Sequence, residues 1–298
     1  MTTFDVSDGV FGIDVGLFGP GFTSVYLFDD EEPTLVDAGA ASCADTIAEG
    51  LTECGVAPND LEHIVLSHIH ADHSGATSAL LEHAPEANVY IHEMTAPHLT
   101  DPTDLIESSR RAMGDHFDEM GVQGPVPERN VVPVSDSGTT LDIGEHSLEL
   151  VYAPGHSPDH FAVWNPERRL LFAAECLGLY FERADRWFPP STLPNFDIED
   201  IERAIDRLRS LDPDRIVFPH FGVWPDTPER AFELAETELH RFEVRILELY
   251  EETNSVGETI DAVTAELLDM SPPYDGRIES FHAELTTKGY LKYHGIEI

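Results

Sequence analysis

Four side chains able to bind a divalent cation fall within six residues of this chain: His68, His70, Asp72 and His73, in the stretch Ser67-His68-Ile69-His70-Ala71-Asp72-His73. The stretch follows directly on Ile64-Val65-Leu66, an apolar run that reads as the end of a buried strand. Helical periodicity does not explain the spacing, whereas a short loop leaving a strand can aim neighbouring side chains at one point. Neutral imidazole and carboxylate suit a divalent cation of the zinc, iron or manganese class. A catalytic site of that kind needs further ligands from elsewhere in the chain, so later strand ends must converge on this one.

The rest of the chain has the alternation such convergence requires. Short apolar runs separated by turns, Val10 to Val15, Ser24 to Phe28 and Thr34 to Val36, predict an antiparallel meander. A helix with Ser42 as N-cap and Ile47 and Leu51 on one face should follow, to about Cys54. Strand Leu61 to Leu66, helix Thr77 to His83 and strand Asn88 to His92 continue in the α/β manner. Met94 to Val122 reads as helical and polar, a covering insertion or a lid. Strands return at Val131 to Val134, Thr140 to Leu141, Ser147 to Tyr152, Phe161 to Trp164, Arg169 to Ala174 and Arg215 to Phe218, with a helix at Ile198 to Leu208. After Pro228 the pattern is helical, to about Tyr250, then Val256 to Leu268 and Arg277 to Thr287, with a helix stop at Gly289 and a short strand at Tyr290-Leu291-Lys292-Tyr293.

The pattern His68-X-His70-X-Asp72-His73 resembles the signature of the metallo-β-lactamase superfamily. Two later stretches match that family's motifs in order: Pro154-Gly155-His156-Ser157-Pro158-Asp159-His160 and Pro219-His220-Phe221-Gly222, each after a strand. The resemblance implies an αββα sandwich over residues 1–225, followed at 226–298 by a small, mostly helical domain that looks like a winged helix. It implies two divalent ions, zinc first and iron or manganese next, with His68, His70 and His156 on one and Asp72, His73 and His220 on the other. Where the family has a bridging aspartate, this chain has Glu175, in Phe172-Ala173-Ala174-Glu175-Cys176-Leu177-Gly178. The longer carboxylate can still bridge if the backbone shifts slightly. Cys176, next along, should point away and pack.

The implied chemistry is hydrolysis by a metal-bridging hydroxide that Asp72 orients, on a small ester, thioester or lactone, as in glyoxalase-II-like members. An endoribonuclease or other phosphodiesterase is the alternative, a mono-iron sulfur dioxygenase or a non-catalytic binding protein a further one. Flavodiiron members carry glutamate where His70 stands. The loop after Glu175 is rich in aromatics and arginine, which makes Tyr180 and Arg183 candidate substrate-binding residues.

Charge bears on the partner. With 57 Asp plus Glu against 17 Lys plus Arg, the formal net charge is -40, interleaved with apolar periodicity and not gathered in a block. Such a surface suits a very saline cytoplasm and resembles that of halophile proteins. From Asp226 onward 17 acidic residues face 6 basic ones, so nucleic acid is not the favoured partner and packing or a homodimer is the preferred role of the C-terminal region. Three cysteines in 298 residues argue for a reducing interior. No run of eighteen apolar residues and no leader pattern is present, so a soluble cytoplasmic protein without a membrane partner is expected.

Overall fold

The computed structural model describes residues 2–190, 195–268, 274 and 276–298. Its first sheet has seven strands in chain order: Thr3–Ser7, Val10–Asp14, Ser24–Phe28, Thr34–Val36, His63–Val65, Asn88–His92 and Val131–Val134. The first three pairings are antiparallel, the expected meander with one strand added at its start. The last three are parallel, two of them crossed over by the helices Ala44–Glu53 and Thr77–His83.

The second sheet runs Gly222–Val223, Arg215–Phe218, Leu170–Phe172, Phe161–Asn165, Ser147–Tyr152, Thr139–Asp142. Its one parallel pair joins Leu170–Phe172 to Arg215–Phe218 through the helix Ile198–Arg209.

Strand alternation assigns the faces. Tyr26, Phe28, Val36 and Val65 point inward and meet Phe161, Val163, Phe172 and Val217 of the other sheet. Leu27, Leu35 and Ile64 point outward, under Ile47, Leu51 and Leu80 of the covering helices. On the far side Leu171, Ile216 and Phe218 pack under Ile201, Ile205 and Leu208. The result is the expected mixed α/β sandwich of four layers.

That last cluster continues without a break into Phe232, Leu239, Phe242 and Ile246 of the helix Pro228–Thr253 and into Ile278, Ala283 and Tyr290 of the helix Gly276–Tyr293. Among the described residues three helices, the middle one Val256–Leu267, make up this end of the chain, and here the structure corrects the sequence reading. Residues 290–293 are helical, so among the described residues no wing strand forms. Gly289 does not stop the helix because it and Tyr290 are buried, and the Tyr290 hydroxyl donates to the Leu239 carbonyl at 2.7 Å. Burial and that hydrogen bond outweigh the roughly 1 kcal/mol that glycine costs a helix.

Candidate metal centre

Four loops at one end of the sandwich carry the predicted ligands. His68 and His70 leave the His63–Val65 strand, and a single helical turn, Ala71–Ser74, places Asp72 and His73. His156 lies in the connection between Ser147–Tyr152 and Phe161–Asn165. Gly155 is required there: its φ is +130°, and a Cβ on it would lie 2.6 Å from the backbone nitrogen of Ile201. Glu175 occupies a tight turn after Leu170–Phe172 that opens with Ala174 in the left-handed region, φ +46°. His220 lies between Arg215–Phe218 and Gly222–Val223.

All seven come together, in two groups. His68, His70, His156 and Glu175 each offer an atom within 4.8 Å of the others, and so do Asp72, His73, Glu175 and His220. His70 Nδ1 is 2.8 Å from His68 Nε2 and 3.1 Å from His156 Nε2. Glu175 belongs to both groups. Its Oε2 is 2.5 Å from His156 Nε2, while Oε1 is 2.8 Å from His220 Nε2 and 3.3 Å from His73 Nε2. The Asp72 carboxylate is 3.4 Å from His220 Nε2 and 3.5 Å from His73 Nε2.

The outward nitrogens of four imidazoles are tethered. His73 Nδ1 meets Asp37 at 2.7 Å, and the same carboxylate accepts the Ser67 amide and hydroxyl. His68 Nδ1 faces the Ser67 hydroxyl at 3.0 Å, His156 Nδ1 the Pro190 carbonyl at 3.2 Å, and His220 Nδ1 the Phe22 carbonyl at 3.1 Å. Each tether orients its ring and leaves Nε2 aimed at the centre. Sequence reading missed Asp37, whose signal was its place at the end of a buried strand before a small-residue turn.

His160, four residues after His156, supports the site from behind. The ring accepts the Glu175 amide at Nε2, 3.1 Å, and its Nδ1 is 3.2 Å from Cys176 Sγ. His160 therefore fixes the backbone of the glutamate that stands where an aspartate was expected. Cys176 is buried, as read, but in a turn and not on a strand. Asp159 ties the first and second loops, accepting the Ile69 amide at 2.9 Å and the Thr95 hydroxyl at 2.7 Å, with Ser157 on its other oxygen.

Burial disfavours charge throughout the cluster, and neighbours decide which groups keep it. Burial opposes ionisation of Asp72, yet His73 and His220 hold its carboxyl well below the usual range. For Glu175 burial is likewise outweighed, by His156, His220 and His73. Burial also opposes charge on His73 and His220, but Asp72, Asp37 and Glu175 raise His73 well above its ordinary value, and Asp72 and Glu175 raise His220 to about 9. Burial, then neighbouring imidazoles, pushes His68 and His160 far down and His70 to about 4. The second group thus binds protons tightly in the places where a cation would compete for Nε2.

A cavity opens over the cluster, with His70, Asp72, His156, Glu175 and His220 in its floor. Its walls come from Phe18 and Phe22, from the helix Thr103–Met113, from Leu179 and Phe188, and from Phe281, His282, Leu285 and Thr286 of the C-terminal helix. The 94–122 segment and the C-terminal region thus both border the site. Tyr180 and Arg183 do not. Tyr180 alternates away from Leu179 and packs on Trp224 at 5.0 Å between ring centroids, and Arg183 donates to the Pro20 carbonyl at 2.6 Å beside the Tyr274 ring.

The sequence profile of the metallo-beta-lactamase superfamily matches residues 18–220, a span holding the whole cluster. The chain belongs to that superfamily. Among its relatives in the superfamily, the metallo-beta-lactamase fold-containing protein ST1585 of Sulfurisphaera tokodaii is 26% identical over 209 residues, 68% of this chain and 74% of the relative. A probable metallo-hydrolase of Bacillus subtilis, YqjP, is 24% identical over 223 residues, 69% of this chain and 68% of its own. In three dimensions, an archaeal superfamily protein from Sulfolobus tokodaii aligns with a TM-score of 0.70 at 21% identity, covering 95% of this chain and 98% of the other. That alignment spans both sheets and extends into the helical end of the chain.

Proposed function

We propose that the protein is a dinuclear metal-dependent hydrolase of small esters, thioesters or lactones. The observation that carries this reading is Glu175, whose two oxygens face two separate groups of imidazoles. Five imidazoles and two carboxylates, four of the rings tethered from behind, fit a pair of divalent cations of the zinc, iron or manganese class. His68, His70 and His156 would hold one with Glu175 Oε2, and Asp72, His73 and His220 the other with Oε1. Bound there, the ions would supply Lewis acidity toward a carbonyl and a hydroxide at neutral pH.

The chain's own residues do the rest. The apolar walls seat the substrate and exclude bulk water. Asp72 has 27% of its side chain exposed against 5% for Glu175, so it is the more open carboxylate of the cavity floor and can orient the attacking water. The water oxygen joins the acyl carbon, the acyl–oxygen or acyl–sulfur bond breaks, and the proton leaves with the alcohol or thiol. The similarity to a probable metallo-hydrolase supports hydrolysis as the reaction class. The cysteines Cys43, Cys54 and Cys176 are all free, which fits a reducing interior, and among the described residues no helix is long and apolar enough to cross a membrane.

Elemental analysis of the purified chain, followed by turnover of ester, thioester and lactone panels in high-salt buffer, tests the reading. Two metal equivalents and metal-dependent turnover are expected, with His68→Ala and Asp72→Ala lowering kcat by about a hundred- to a thousandfold. Absence of bound metal overturns it, and a single iron per chain favours the dioxygenase chemistry instead.

A further inference from the structure

The cavity over the ligand cluster has a charged floor and an uncharged roof. Met113, Met120, Leu179, Phe188, Phe281 and Leu285 make most of the roof, and its polar side chains among the described residues are Ser109, His282 and Thr286. No arginine or lysine lines it among the described residues. Two nearby cations are engaged elsewhere: Arg110 lies over the Phe117 ring at 4.3 Å, and Arg183 is held by the Pro20 carbonyl. A phosphodiester or a polyanionic thiol would enter without a counter-charge from the walls.

His282 is the unusual member of this roof. Its ring packs on Phe22 and Phe181, 5.6 Å from each, the same two rings that pack on His220. It has no hydrogen-bond partner among the described residues, although it lines the cavity. Burial, then the neighbouring His220, pushes it down to about 4, so at neutral pH it offers an uncharged donor and an uncharged acceptor. A polar group in an apolar wall is unfavourable until something enters and pairs with it. The extent of the wall points the same way: it is built from the Phe18–Phe22 loop, the helix Thr103–Met113 and the helix Gly276–Tyr293, so an acetyl group could not touch all of it.

We infer that the cavity takes a substrate whose acyl part is an uncharged hydrocarbon chain, its reacting carbonyl over Asp72 and Glu175, its chain along the helices Thr103–Met113 and Gly276–Tyr293, and a polar group paired with His282. This rests on the hydrolase reading for its chemistry, but the ligand class can be measured apart from turnover. Calorimetric titration of the metal-loaded full chain with straight-chain carboxylates, acetate to decanoate, reads the wall directly. Each methylene should tighten binding about fourfold until the cavity is filled. Affinity independent of chain length, or a mononucleotide bound more tightly than octanoate, overturns the inference. In a matched thioester series kcat/KM should climb with the same cut-off, and Leu285→Trp should shorten the chain at which the climb stops; an unchanged cut-off removes the chain from the C-terminal helix. His282→Phe should raise KM about tenfold with kcat less affected, and His282→Asn should recover part of that; equal constants in all three overturn the pairing. Graded carboxylate binding without any turnover would end the hydrolase reading and keep the ligand class, while turnover blind to chain length would do the reverse.

Discussion

At the scale of single residues, the centre depends on groups that would touch no ion. Asp37 holds His73 Nδ1 at 2.7 Å and also accepts both donors of Ser67, whose hydroxyl in turn faces His68. One carboxylate thus orients two imidazoles, one in each group. Asp37→Asn keeps the shape but swaps an acceptor for a donor in one of these places, so metal affinity should fall about 10–100-fold, as expected when such a tether is lost. Competition against a chromophoric chelator measures it, with circular dichroism unchanged; affinity within twofold of the parent would show that the imidazoles need no tether. Loss of His160 should act differently. It accepts the Glu175 amide, so His160→Ala displaces the carboxylate shared by both groups, and the two ions should be lost together in the same titration.

Among the elements, Gly155 links a loop to a helix. A Cβ there meets the Ile201 side chain and backbone, and its φ of +130° strains any other residue. Gly155→Ala should cost about 1–3 kcal/mol, seen as a lower midpoint in urea, and should weaken metal binding because His156 shifts with the loop. The elements themselves were largely legible. Helix Thr77–His83 and the strands Ser24–Phe28 and Asn88–His92 have the predicted bounds, because buried apolar residues run through each and the pattern records them: on one face of the helix, on both faces of Ser24–Phe28. The ligand motifs were legible for a related reason: each lies just past an apolar run. What periodicity could not show was partnership across the chain. Ser42 looks like a helix N-cap, but a short 3₁₀ turn precedes that helix and the hydroxyl donates to the Glu119 carbonyl. Gly289 looks like a stop, yet the helix continues because Tyr290 finds Leu239 and Phe196. His282 carried no signal at all, since its meaning depends on a cavity that only the docking of the C-terminal helix creates.

Over the whole molecule two charge effects compete, one buried and one at the surface. The buried one is the cluster, where five imidazoles and two carboxylates share a space with little water. Cations should stabilise the fold by about 4 kcal/mol when present at a thousand times their dissociation constant, so chelation should lower Tm, and by more for the parent than for His68→Ala. The surface one is the net charge of -40, which repels itself. Some of it is offset locally, as where Arg245 contacts Glu248, Glu252 and Glu266, but with 57 acidic residues to 17 basic ones most carboxylates have no cation of their own. At 0.01 M salt the Debye length of about 30 Å spans much of the molecule, whereas at 1 M it is about 3 Å and only touching charges interact. Raising potassium chloride from 0.01 to 1 M should therefore raise Tm steadily with the metals saturated. Because chloride is a weak stabiliser of apolar burial, the rise reports screening, and replacing potassium chloride by an equal osmolarity of sucrose should give a smaller one. Equal rises in salt and sucrose would assign the effect to exclusion from the protein surface and leave the acidic surface without a part in stability.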